Sequence, residues 1–314
     1  MALLPMKRIV APIIAAAMAW GGTACAPVSA IPTTGTSSPM PTSSPVTPQD
    51  RFSAAVRELE QAYDARVGVS VIDGSGAQVL GHRADERRGF ASTVKALIAA
   101  VMLRTLSAEE RAERVRWTQE DIDRAGYAPV TSQHIDDGMT LDELAEATVR
   151  TSDNAAANLL LRRLGGPEAV RSAFAGFGDT TTALTKEEPY LNDLVPGSDD
   201  NTSTPRALAG DLRSLVAGDA LTPESRATLQ RWMSGNATGD TLIRAGAPRA
   251  WNVADKSGGA GGMRNDIAVV TPPGGDPVFV AILTQRNDPT ASWDDALVAR
   301  TADAALGLLG EAGG

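Results

Sequence analysis

Apolar residues recur at helical spacing in Phe52, Val56, Leu59 and Tyr63, then alternate with period two in Val67, Val69 and Val71. The pattern predicts an amphipathic helix followed by a half-buried strand. "DGSG" after that strand marks a turn, and a second strand resumes beyond it, which is a hairpin signal. A matching signal stands near the other end, where "NDIAVVTPPGGDPVFVAIL" sets two apolar strands around a Pro/Gly turn. After it, Ser292 and Asp295 have capping-box spacing ahead of an Ala/Leu helix. Between the two ends, "MTLDELAEATVR", "NAAANLLLRRL", "GPEAVRSAFAGF" and "TPESRATLQRWM" all have helix-forming composition. No internal repeat divides the chain. The expected architecture is α+β: an antiparallel sheet from the two ends, flanked by N- and C-terminal helices, with an inserted all-helical subdomain and the active site between them. The domain is expected over 50–312, with its α/β part at about 50–83 and 235–312 and its helical part at about 84–234.

The residues before that domain follow a different rule. Lys7 and Arg8 precede the apolar run "IVAPIIAAAMAW" and then small residues, so 1–30 reads as an export signal. Residues 31–49 continue a Ser/Thr/Pro-rich stretch with little to bury, the composition of a tether. Cys25 is the one cysteine, which excludes an internal disulfide. "GTAC" resembles a lipobox with Gly22 in place of a larger aliphatic residue, which makes Cys25 a candidate lipidation site; cleavage after "ACA" or "VSA" is the other reading. The protein is thus expected to be exported, either lipid-anchored at the outer face of the cell membrane or secreted. No later run reaches the roughly 18 apolar residues that a membrane helix needs.

Composition narrows the function. A 43% hydrophobic content is that of a globular chain, and a net charge of −9 argues against a nucleic-acid partner, which requires basic surface. Metal hydrolysis lacks its ligands: there is no H-E-x-x-H and no cysteine cluster, and no cofactor is expected. His82 and His134 stand without the neighbours of a Ser-His-Asp site and read as structural.

Lysine occurs only at 7, 95, 186 and 256 among 29 basic residues. Where arginine serves for generic charge, the remaining lysines are suspects for work that needs a compact charge or a proton that can leave. Lys95 follows Ser92 by three residues in "GFASTVKALIAA", so the two share a helical face, and a neighbouring base is what a serine nucleophile requires. "RTSDNAAANLLL" places Ser152, Asp153 and Asn154 together, which as an isolated string is also a helix cap. "ADKSGGAGG" puts Lys256 and Ser257 ahead of glycines at the end of a strand signal.

In this order, S-x-x-K, S-D-N and K-[ST]-G resemble the signature of class A serine β-lactamases and penicillin-binding proteins. The resemblance runs from about Arg51 to Leu309 and includes "RVGVSVIDGSG", "GYAPVT" and "RWMSGNATGDTLIRAG". "KEEPYLND" resembles the E-P-x-L-N motif of the Ω loop, which penicillin-binding proteins lack, and marks Glu188 and Asn192. The resemblance implies Ser92 as nucleophile, Lys95 or Glu188 as its base, Ser152 as proton relay, and Glu188 with Asn192 as holders of the deacylating water. It implies an oxyanion hole from the backbone N–H groups of Ser92 and Gly259, a carboxylate anchor of Lys256, Ser257 and Arg264, and cleft contacts from Tyr127 and Asn154. Asn158 is expected to brace the Ω loop. The implied partner is a small β-lactam, with no nucleic acid, no membrane contact beyond the possible anchor, and a monomeric state.

The chain departs from the family twice. The usual Arg–Asp pair that closes the Ω loop is replaced by Lys186 and Asn201, which predicts a looser loop or a new acidic partner for Lys186 such as Glu187. The turn after K-S-G is one residue short, and the placement of Arg264 depends on it. A penicillin-sensitive peptidase and a non-catalytic cell-wall-binding lipoprotein are the competing functions.

Overall fold

The first and last strands of the described chain lie side by side. The computed structural model describes residues 45–312 apart from 289, so the export signal, Cys25 and most of the tether lie outside the described residues. Strands β1 (Ala65–Ile72), β2 (Gln78–His82), β3 (Asn252–Ala260), β4 (Met263–Thr271) and β5 (Val278–Arg286) form one sheet in the order β2-β1-β5-β4-β3. Every pairing is antiparallel, and Val69 lies opposite Ile282. This is the α+β arrangement that the apolar pattern predicts.

Alternation decides what each face of the sheet covers. Ile267, Val269, Phe279, Ala281 and Leu283 join the core with the helices, while Ala268, Val270, Val280 and Ile282 pack with Phe52, Val56, Leu297 and Val298 of the terminal helices. Those terminal helices are α1 (Pro48–Ala62) and α7 (Asp295–Ala312). α1 starts two residues before the expected boundary at Asp50, because Thr47 and Asp50 close a capping box around Pro48. The capping box expected of Ser292 and Asp295 does not form. α7 begins at Asp295, Asp294 accepts from the N–H of Ala296 at 2.9 Å, and the Asp295 carboxylate is held by Arg264.

Among the intervening helices, α2 (Lys95–Thr105), α3 (Leu141–Arg150), α4 (Asn154–Arg163), α5 (Pro205–Val216) and α6 (Pro223–Ser234) matter here. α2 is buried on all sides from Lys95 to Leu103. A helix that is apolar all round belongs at the centre of a core, and its first residue is carried in with it. That is how a lysine comes to be fully buried.

Candidate active site

Ser92 sits in a 3-10 turn, Ala91–Val94, that runs directly into α2 at Lys95. In that tighter helix residues three apart eclipse, so Ser92 and Lys95 leave the backbone on the same side. Ala91 has φ +47°, a left-handed conformation that costs a residue with a Cβ about 1–2 kcal/mol and is tolerated where surrounding structure imposes it. β3 supplies part of that structure. A Cβ on Gly258 would lie 2.9 Å from Ser92 N and 3.0 Å from Thr93 N, so only glycine lets the strand approach the serine's turn this closely.

On the helical wall of the cleft, Lys95 Nζ donates to Asn154 Oδ1 at 2.6 Å and to the Ser152 carbonyl at 2.8 Å, and lies 2.9 Å from Glu188 Oε1 and 3.3 Å from Ser152 Oγ. The Ser92 hydroxyl donates to the same Glu188 oxygen at 2.9 Å. Among the described residues no direct hydrogen bond joins Ser92 to Lys95, so the contact expected from their spacing is made through the carboxylate. Ser152 has φ +60° immediately before α4, and Asp153 caps that helix, as the bland reading of the motif expects. The Asp153 carboxylate also accepts from the N–H groups of Val130 and Thr131, which fastens the loop carrying Tyr127 to the start of α4. Asn154 is engaged by the protein itself: its carbonyl takes Lys95 and its amide donates to the Ala125 carbonyl at 3.0 Å.

On the sheet wall, Lys256 is also fully buried and donates to Ser152 Oγ at 3.1 Å and the Ser257 carbonyl at 2.8 Å. Burial, then the positive charge of Lys95, push this ammonium down to about 7, against the pull of Asp255, Asp266 and Glu188. Ser152 Oγ therefore lies between two buried amines. Ser257 Oγ is 2.6 Å from Thr238 Oγ1. The short turn after β3 is a two-residue Gly261-Gly262 hairpin, and it sets Arg264 directly across from Gly259. Arg264 donates through Nε to Asp295 at 2.6 Å, and the Trp293 ring covers its guanidinium at 5.6 Å.

The third wall is the segment carrying Glu188. Asn158 grips it through two backbone bonds, to the Glu188 carbonyl at 2.8 Å and from its N–H at 2.9 Å, the bracing expected of that residue. Asn192 donates to Glu188 Oε2 at 3.1 Å. The closure of the loop does not use the acidic partner expected for Lys186. Asn201 Oδ1 accepts from the N–H groups of Thr185 and Lys186, so its oxygen is already occupied, and Lys186 Nζ turns to the Asp193 carbonyl at 3.4 Å instead of to Glu187. The cation that spans the loop's two ends is Arg87, which reaches Asp199 at 3.2 Å, the Thr181 carbonyl at 2.8 Å and Thr202 Oγ1 at 3.1 Å. At the loop's base Asp179 takes the N–H groups of Thr181 and Thr182 beside Asp211 of α5. Burial, then the adjacent Asp179 charge, raise the Asp211 carboxyl well above its ordinary range.

These walls enclose a cleft of about 450 Å³ lined by Ser92, Tyr127, Ser152, Asn154, Glu188, Asn192, Ser257, Gly259 and Arg264, with Lys95 and Lys256 beneath it. Every candidate site residue within the described domain is thus brought to one place. Thr238, Gly258 and Trp293 complete the lining, and Asp295 stands behind Arg264. The sequence reading gives Asp295 only a capping role and Trp293 none, because they lie in a stretch whose pattern signals a helix start; a Trp followed by two acids is the one hint. Among the described residues no group of three or more His, Cys, Asp or Glu is placed to hold a metal.

A hydroxyl, a carboxylate and two buried amines around one cleft suit acyl transfer. The comparisons agree with that chemistry. The beta-lactamase enzyme family matches residues 51–309. A beta-lactamase of Bacillus licheniformis is 46% identical over 243 residues, covering 77% of this chain and 78% of that protein, and one of Amycolatopsis lactamdurans is 46% identical over 253 residues, covering 80% and 83%. The crystal structure of a class A beta-lactamase from Clostridium kluyveri superposes with a TM-score of 0.79 at 42% identity, covering 83% of this chain and 99% of that one. A beta-lactamase from Streptomyces albus G gives 0.78 at 40% identity, covering 82% and 98%. The chain belongs to the beta-lactamase enzyme family and has the fold of its class A members.

Proposed function

We propose that this chain opens β-lactams through a covalent acyl-enzyme on Ser92 and releases the product with water activated by Glu188. β-Lactam hydrolysis is the activity of the family; the assignment of steps to residues is the further reading. The observation that carries it is the pair of 2.9 Å contacts on one Glu188 oxygen, from the Ser92 hydroxyl and from the Lys95 ammonium. A carboxylate there is within reach of the serine proton as Oγ attacks the lactam carbonyl. Lys95 is surrounded by acceptors, Ser152 O, Asn154 Oδ1 and Glu188 Oε1, one for each proton of an ammonium, and in that state it stabilises the carboxylate. In its neutral form, when the carboxylate is absent, Lys95 is the second group able to take the serine proton.

As the tetrahedral intermediate forms, its oxyanion lies between the N–H groups of Ser92 and Gly259, donors whose positions are fixed by the Gly258 contact. The C–N bond then breaks, and the lactam nitrogen takes a proton from Ser152 Oγ, which either neighbouring amine replenishes. The serine proton held by Glu188 passes through Lys95 to restore the amine that recharged Ser152, and Glu188, again a carboxylate with Asn192 on its other oxygen, removes a proton from water; the hydroxide adds to the acyl carbon, and Glu188 returns that proton to Ser92 Oγ as it leaves. Lys256, Ser257 and Arg264 form the anionic-substrate end of the cleft. Ser92→Ala, which removes only an oxygen, should lower penicillin hydrolysis followed by ultraviolet absorbance by about 10⁴-fold or more. Retention of more than about one tenth of the activity would remove Ser92 from the reaction.

A further inference from the structure

Trp293 carries an inference that rests on the function proposed above. Six large apolar residues are exposed among those described, and two of them, Tyr127 and Trp293, line the cleft. Trp293 is 45% exposed even though its ring lies over the Arg264 guanidinium. An indole left in water at the mouth of a cleft is apolar surface waiting for a ligand to cover it. Its surroundings are rigid. Arg264 is held by Asp295 through Nε and by the Thr238 carbonyl through Nη2 at 3.4 Å, so the cation beneath the ring cannot easily turn away. Gly259 completes the corner: a Cβ there would lie 3.2 Å from Arg264 Nη1 and 3.5 Å from Trp293 Cε3. Bare backbone, a fixed cation and an aromatic ring thus meet at one point, the end of the cleft that takes a carboxylate.

We propose that Trp293 is a specificity-determining residue, whose indole forms the wall against the ring fused to the lactam and so favours bicyclic β-lactams bearing a ring carboxylate over monocyclic ones bearing a sulfonate on nitrogen. In a bicyclic substrate the carbon that carries the carboxylate is itself a member of the fused ring. With that carboxylate on Arg264, the ring's apolar edge falls beside the indole, which buries it and also shields the ion pair from water. A monocyclic N-sulfonate brings the anion without the ring and gains only the charge.

The test compares wild type, Trp293→Ala and Trp293→Phe on a penicillin and on a monocyclic N-sulfonated β-lactam, with KM and kcat measured separately. For Trp293→Ala the account expects KM for the penicillin to rise about 10-fold while KM for the monocyclic compound moves less than about 2-fold, the difference expected of one aromatic wall. Trp293→Phe, which keeps a flat apolar ring, should recover most of the loss. Equal shifts for both substrates, as a merely structural role would give, or no shift for the penicillin, overturn the inference. Trp293→Leu replaces the alanine variant if that variant does not fold, with the same expected ratio. Wild-type turnover separates this inference from the reading on which it rests: if the wild type hydrolyses neither compound both fall, whereas turnover with an unchanged ratio removes only Trp293.

Discussion

The two walls of the cleft treat buried positive charge in opposite ways. On the helical wall Lys95 meets a carboxylate and two carbonyl acceptors; on the sheet wall Lys256, equally buried, has a hydroxyl and one carbonyl as its hydrogen-bond partners. The difference teaches what each amine contributes. A compensated charge is part of the fold's energy, while one without a direct anionic partner makes the molecule sensitive to pH.

Lys95→Met breaks this comparison most directly. It leaves Glu188 buried without its cation and strips the Ser152 carbonyl and Asn154 Oδ1 of their donor, so chemical denaturation should show a loss of about 3–5 kcal/mol. A loss below about 1 kcal/mol would mean that the ion pair is not a structural element. The corresponding change on the other wall, Lys256→Met, should behave differently. Because the folded amine titrates at about 7 and the unfolded one near 10.5, the unfolded state binds more protons between those values, and wild-type stability gains from this group as pH rises through that window. The variant escapes the cost of the buried ammonium, so its Tm relative to wild type should be most favourable at and below pH 7 and lose that advantage toward pH 10. A difference independent of pH would contradict the assignment.

How far this contrast can be read in the sequence depends on how its residues reach the cleft. Ser92 with Lys95, Ser152 with Asn154, and Lys256 with Ser257 are each contiguous strings at the start of a helix or along a strand, so their joint order identifies the site before any coordinates are seen. The strands were equally legible, but "VFVAIL" is apolar at every position, so the assignment of Phe279, Ala281 and Leu283 to one face and Val280 and Ile282 to the other comes from the fold. What escaped is what only tertiary packing decides. Asp295 has the spacing of a helix cap, but the carboxylate goes to Arg264, a stronger, charge-assisted partner than a backbone N–H. Lys186 and Asn201 look like a weakened clamp, yet the Asn201 side-chain oxygen is taken up by backbone N–H groups and Arg87, about a hundred residues before Asn201, does the closing. No local pattern names Arg87.

Asp211 extends the contrast to a group outside the cleft and should give the smallest effect. Its folded carboxyl is raised well above the unfolded value near 3.8, so its contribution to stability is fully present below that value and is lost as pH rises. The other charged groups of its cavity are Asp179, its partner, together with Arg206, which is paired to Asp85, and Arg213. Asp211→Asn keeps a donor for Asp179 without a proton to lose. It should raise Tm at pH 8 by about 3 °C and be indistinguishable from wild type near pH 4. An unchanged Tm at both values would show that the Asp211 carboxyl is not raised by the fold.

The central claim is that Ser92 is acylated and that Glu188 governs release. Intact-protein mass spectrometry of wild type and Glu188→Gln after mixing with a penicillin tests it, with peptide mapping to locate any adduct. The account predicts that Glu188→Gln, in which Lys95 remains as a base for acylation, holds one penicillin on Ser92 while wild type returns to its unmodified mass. An adduct on another residue, no adduct on the variant, or a wild type that stays acylated would contradict it.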